Sequence, residues 1–280
     1  MYPLRVRMLQ KAIMPFVQRR LSTPYISSAY FKSLCDFKLD PFNKFSREQL
    51  RALDLAHIVF CKSHQLIQVI EMYSRYLKGK TLIAGDSDFD FTELNFKFGS
   101  ISRLFLQNSF ISDGKRINTL PLGVENLSLA LNGLPWNLRS SSKEKWPQIL
   151  VGPASKTHPV REKLFNQVAS NSFLTVTTDM LSPRAYAKFS SNFQGVACPR
   201  GNGEDTHRLW ETLYRGSCPV VKENLWSQSL LKLGIPMILV SDWSYESLAQ
   251  AHSCLPLYRI NSKSIPALWT AFWKKQLLET

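Results

Sequence analysis

The stretch Cys198-Pro199-Arg200-Gly201-Asn202-Gly203-Glu204-Asp205-Thr206-His207-Arg208-Leu209-Trp210-Glu211 gathers the residue types that hold anions and hydroxyls. An apolar run ends at Cys198, a Gly-Asn-Gly loop follows, and a helix is predicted to begin near Asp205. Gly201 and Gly203 let the backbone approach a ligand, and a helix start offers free N–H groups and a positive dipole to an anion. Arg200 and Arg208 flank the turn, and a guanidinium fork matches phosphate oxygens better than an ammonium does. Glu204, Asp205, His207 and Glu211 supply acceptors of the kind that bind sugar or ribose hydroxyls. A second reading stays open: a capped helix whose Glu204 and Arg208 pair at i, i+4 on a solvated face. His57, Cys61 and His64 share an i, i+4, i+7 spacing. Their segment reads as a strand rather than a helix, so no metal site is expected there. No GxSxG elbow and no carboxylate set suited to a two-metal phosphatase is present.

These residues need a framework, and the chain alternates strand-like and helix-like stretches as α/β layers around a parallel sheet do. In the first half, strands are predicted at 57–61, 80–84, 103–106 and 117–120. Ser63 is expected to cap a helix over 64–77. The second half predicts strands at 148–151, 173–177, 195–198, 219–221 and 237–240. Helices are predicted at 159–169, 183–190, 206–214, 227–233 and 245–251, with a last one over 265–278 carrying Trp269 and Trp273 on one face. The polar, aperiodic stretch Asn137 to Lys145 reads as the linker. Two Rossmann-like halves facing a cleft follow, 1–140 and 146–280. Thr157 to Arg161 then falls between the first strand of the second half and its helix, at the sheet edge where ligands sit in open α/β folds.

Composition narrows the classes. With 280 residues, 44% of them hydrophobic and 20% charged, the chain can bury a sizeable core, which excludes disorder as its main state. No apolar run reaches the roughly 18–20 residues needed to span a bilayer. Five cysteines with no CxxC pair argue against a disulfide scaffold or a zinc ribbon. A reducing compartment, the cytoplasm, is therefore expected. The net charge of +14 suits a phosphate-bearing partner or an anionic membrane surface. Residues 1–35 hold six Lys or Arg and no acid, so they read as a basic helix or as an organelle transit segment.

The run "CPRGNGEDTHRLWETLYRGSCPVV", followed by "MILVSDW", closely resembles the nucleotide-sugar half of exostosin-like glycosyltransferases. "GDSD", "LQN", "LPLGVEN" and "KTHPVREKL" fall upstream in the order that family has them. The chain looks most like the soluble, bacterial-type relatives. The resemblance implies a GT-B fold and a transfer from a nucleotide-sugar, UDP-linked by default, to a hydroxyl of a glycan or other acceptor. It further implies inversion and no metal or other cofactor. Arg161, Arg200 and Arg208 would hold the diphosphate, with Thr157 beside them. His207 and Glu211 would fix the ribose or the donor sugar. The general base is expected from the first half, Asp88 foremost and Asp86 second, although both aspartates also read as turn caps. Two alternatives remain: a basic nucleic-acid-binding protein, without any recognised motif of that class, and an inactive glycosyltransferase-like binding subunit.

Overall fold

The computed structural model describes residues 24–93, 99–126, 132–140 and 144–278. The basic segment lies mostly outside them. Within the described residues the chain is mixed α/β, with two separate five-stranded parallel sheets and nine α-helices.

The first sheet holds β1 (Phe37–Lys38), β2 (Ile58–Lys62), β3 (Thr81–Gly85), β4 (Arg103–Leu106) and β5 (Ile117–Thr119) in that spatial order. Strands β2 and β3 pair in register from Ile58–Thr81 to Lys62–Gly85. Both are almost wholly buried, as continuous apolar runs of a sheet covered on two faces must be. Helices α1 (Ser28–Ser33), α2 (Arg47–Leu55) and α3 (Leu66–Tyr73) accompany this sheet. Helix α2 starts at a capping box in which Ser46 and Gln49 each accept the other's backbone N–H. The helix expected over 64–77 is shorter: Ser63–Gln65 and Ser74–Tyr76 are 3-10 turns, and the Ser63 hydroxyl is buried rather than capping.

The second sheet runs β10 (Ile238–Val240), β9 (Cys218–Lys222), β8 (Phe193–Ala197), β6 (Trp146–Val151), β7 (Leu174–Val176). Its helices are α4 (Pro159–Gln167), α5 (Pro183–Ser190), α6 (His207–Tyr214), α7 (Leu225–Lys232) and α8 (Tyr245–Cys254). The C-terminal helix, α9 (Thr270–Leu278), begins five residues later than its apolar pattern suggests. Pro266 opens a 3-10 turn there instead.

The halves are not independent bodies. One apolar cluster runs from Ile26, Phe31, Ile83 and Phe105 of the first half to Leu150, Trp210 and Val221 of the second, and on to Trp273 of α9. The chain ends cross over. Ile26 donates its backbone N–H to the Tyr214 hydroxyl of α6, while Arg103 of β4 donates to the Gln276 and Leu277 carbonyls of α9. Thr119 of β5 and Ser229 of α7 share a buried hydrogen bond of 2.6 Å.

The expected linker is anchored too. The Asn137 carbonyl accepts from the buried Arg215 Nε at 2.8 Å. Lys145 donates to the Ser191 and Arg215 carbonyls and to the Ser217 hydroxyl. Burial, with the charge of Arg215 adding to it, lowers the Lys145 ammonium to about 8. Residues 141–143 lie outside the described residues.

Trp273 is 1% exposed, donates its indole N–H to the Ala267 carbonyl and meets Phe31 edge-on at 5.5 Å between ring centres. Trp273→Ala should destabilise the fold by about 3–5 kcal/mol in urea unfolding. Because the cluster is shared, both halves should unfold in a single transition. Two separate transitions in the wild type would contradict this packing.

Candidate functional site

Strand order in the second sheet reverses between β6 and β8, so the connections leaving their carboxyl ends diverge and open a crevice. Gly152 follows β6 with φ +91°, where a Cβ would stand 2.1 Å from the Thr177 carbonyl, so only glycine fits this exit. Pro153, Ser155 and Thr157 follow, and then α4 with Arg161. After β8 comes the loop from Cys198 to Asp205, leading into α6. Asp88, Leu122, Glu125 and Asn132 of the first half close the opposite side of a cleft of about 640 Å³. A groove of about 660 Å³ lies on the other face of α5, lined by Trp136, Arg139, Arg184 and Lys188. It gathers cations without acids, whereas the cleft combines both with a switch point, and we place the site in the cleft.

Of the twelve residues singled out from the sequence, nine line this cleft: Asp88, Thr157, Arg161, Gly201, Gly203, Asp205, His207, Arg208 and Glu211. Arg200, Glu204 and Asp86 do not. Arg200 is taken up by carboxylates, at 2.6 Å from Asp90 and 3.2 Å from Glu204. Glu204 also accepts from the Asn224 amide at 2.8 Å. The alternative reading, a Glu204–Arg208 pair on the helix, does not form, because α6 begins only at His207 and Glu204 lies in the loop before it. Asp86 points to Lys32 at 3.2 Å, outside the cleft lining.

Asp205 is structural rather than free for a hydroxyl. Its two carboxylate oxygens accept from the Leu122 backbone N–H at 2.8 Å and the Trp210 indole N–H at 2.7 Å. Its own N–H donates to the Asn108 side chain at 2.7 Å. Burial pushes the Asp205 carboxyl up to about 7, against the pull of its hydrogen bonds. Gly203 sits so close that an added Cβ would be 2.8 Å from the Asn108 amide, which explains glycine at this point of the motif.

The two arginines that face the cleft have no carboxylate partner among the described residues. Arg161 donates to the Arg200, Ser155 and Pro199 carbonyls and to the Ser155 hydroxyl. Arg208 donates to the Pro153 carbonyl, and its guanidinium lies 5.3 Å from the centre of the Tyr186 ring. Burial first, and the neighbouring Arg208 charge second, lower Arg161 to about 10. Two like charges that face one cleft are relieved by an anion between them.

His207 of α6 donates its Nδ1–H to the Gly123 carbonyl of the first half at 2.8 Å. Glu211 pairs with Arg215 at 3.3 Å. Glu125 accepts from the Asn132 amide at 2.7 Å. Burial pushes its carboxyl up, the Glu211 charge adds to this, and Asn132 and His207 oppose it. Asp88 is exposed, with one oxygen accepting from Asn202 at 3.2 Å. Asn108 and Glu125 carry no local signal beyond their place in the LQN and LPLGVEN stretches, and Asp90, Asn224 and Tyr186 lie outside every such motif. Among them, Asn108, Asp90 and Asn224 meet partners 20 to 114 residues away.

Among the described residues no three His, Cys, Asp or Glu side chains group as metal ligands, and no helix is long and apolar enough to cross a membrane. No family model matches the chain, and no curated protein matches it either. The likeness to exostosin-like enzymes rests on the motifs alone.

Three carboxyls, the buried Asp205 and Glu204 and the half-buried Glu125, are raised by the fold. Between the ordinary carboxylate value of about 4 and their folded values, the native state binds more protons than the unfolded chain. Stability should therefore fall as pH rises through this window. Asp113 and Asp242 are lowered and act only below it, while His158, also lowered, opposes weakly and Lys145, lowered to about 8, opposes only at its upper end. The melting temperature is expected to drop steadily from pH 5 to 7.5, less so in Asp205→Asn. A rising curve in the wild type would refute the assignment.

Proposed function

We propose that the protein is a nucleotide-sugar-dependent glycosyltransferase of the exostosin-like kind, with a GT-B arrangement, inverting and metal-independent. The observation that carries this is the pair Arg161 and Arg208, unpaired by acids among the described residues, at the switch point of the second sheet. Their forks suit a diphosphate, and they stabilise the negative charge that develops on it as the glycosidic bond breaks. Thr157 and the backbone around Gly201 and Gly203 border the same space. His207 Nε2 and the Glu211 carboxylate offer hydrogen-bond partners to donor hydroxyls. The acceptor enters from the first half, where a carboxylate takes its proton. Arg200, Glu204 and Asp205 support this arrangement by holding the loop. The net charge also fits a nucleic-acid partner, but no recognised motif of that class accompanies it.

A thermal-shift panel of UDP-, GDP-, ADP- and CMP-sugars tests the reading. A ligand at about 100 times its Kd adds about 2.7 kcal/mol of stability. Arg208→Ala removes charge-assisted hydrogen bonds of about 1.5–3 kcal/mol each, so kcat/KM should fall at least about tenfold at nearly unchanged melting temperature. Arg208→Lys should recover only part, since it lacks the planar fork. Normal transfer by the Ala variant would remove Arg208 from the site. Because arginines supply the positive charge, activity should survive EDTA. Loss on chelation with recovery on adding Mn²⁺ would overturn the metal-independent mechanism.

A further inference from the structure

Both aspartates expected to act as base are poorly placed, since Asp86 turns to Lys32 and Asp88 lies exposed beside Asn202. We infer that Glu125, in the loop that leaves β5, is the catalytic base that takes the acceptor proton. The inference rests on the glycosyltransferase reading and names the group that completes its cleft.

Position comes first. Glu125 lines the cleft from the first half, whereas Arg161 and Arg208 line it from the second. A base for an inverting displacement must stand across from the departing diphosphate. Of the two carboxylates that line the cleft from the first half, Asp88 is exposed and Glu125 is half-buried.

Rigidity comes second. The described residues from Leu122 to Asn126 that flank Glu125 are each tied. The Leu122 N–H is held by Asp205, the Gly123 carbonyl by His207, the Val124 N–H by the Ile26 carbonyl and the Asn126 side chain by the Ala29 N–H. Asn132 fixes Oε2 and so orients the carboxylate. A base anchored in this way needs little reorganisation when substrate binds. The residues around Asp88 are tied as well, Asp86 to Gln107, Ser87 to His64 and Asn108, and Asp90 to Arg200, but the Asp88 carboxylate itself is exposed beside Asn202.

Environment comes third. Glu211 and His207 of α6 bear on the carboxylate, Asn132 flanks it, and Arg161, Arg208 and Asp88 share the cleft. Burial and the Glu211 charge make it more basic than an ordinary glutamate, which brings it toward the range where a base works near neutral pH. The step balances. The acceptor O–H proton passes to the Glu125 carboxylate, and the acceptor oxygen bonds to the anomeric carbon. The bond from that carbon to the phosphate oxygen breaks, its electron pair leaving with the nucleoside diphosphate.

The experiment compares wild type, Glu125→Gln and Asp88→Asn. The probes are UDP for binding, and UDP-glucose, UDP-galactose and UDP-N-acetylglucosamine for release of UDP to water or to added sugar alcohols. Glu125→Gln should keep the melting temperature and bind UDP within about twofold of wild type. Its turnover should fall by about 10²–10⁴, the contribution usual for a general base. The acidic limb of the wild-type kcat/KM profile should vanish in the variant. Turnover of Glu125→Gln within threefold of wild type would overturn the inference and leave the glycosyltransferase reading intact. The inference fails equally if the loss falls on Asp88→Asn alone. A wild type that neither binds UDP nor releases it from any of these donors would defeat that reading, and this inference with it.

Discussion

A single buried carboxylate joins the two halves at the point where the chemistry would occur. Asp205 is 3% exposed, yet it binds the loop after β5, the indole of Trp210 in α6 and, through its own N–H, Asn108 after β4. Both oxygens accept, so the ionised form satisfies its donors, while the surrounding apolar core penalises that same charge. The arrangement is costly in stability and precise in position. It fixes the Gly201–Gly203 loop against the first half. The arginines on one wall and Glu125 on the other thereby share one frame of reference.

The shared apolar core has the same consequence on a larger scale. With Ile26 held by α6 and Arg103 held by α9, each half carries a piece of chain that packs on the other. Such an interface resembles a domain interior more than a hinge, and closure by large rigid-body rotation would have to break buried hydrogen bonds such as Thr119–Ser229. A cleft built in this way binds by preorganisation, with movement confined to its loops.

The strands were legible because buried parallel strands are continuous apolar runs, and Ile58 to Cys61 or Leu82 to Ala84 admit few other interpretations. Element ends were less so. Pro266 favours a turn start at a place where the apolar period alone extends the helix, and the Ser63 hydroxyl, inside rather than at a cap, breaks the rule that its residue type suggests. Helix α2 was missed although Ser46 and Gln49 carry a capping-box spacing. In the site, Arg161, Arg208 and His207 could be singled out because short motifs place them beside strand ends. Asp90, Asn108 and Asn224 could not. Asp90 meets Arg200 across 110 residues and Asn108 meets Asp205 across 97, and nothing local in the sequence encodes such pairs.

Carboxylate partners, near and far in sequence, also sort the arginines by role. Arg200 is neutralised by Asp90 and Glu204, and Arg215 by Glu211 with further bonds to Asn137 and Ser190. Their charges are spent inside the protein, where they brace the loop and the linker. Arg161 and Arg208 instead donate to backbone carbonyls, which orient a guanidinium without cancelling its charge. Placing two such groups at one crevice raises the electrostatic energy of the folded chain, and burial together with the Arg208 charge lowers Arg161. A fold gains nothing from that strain in isolation. It is intelligible when the anion that relieves it comes from outside, and the place where that anion fits is the crevice between β6 and β8.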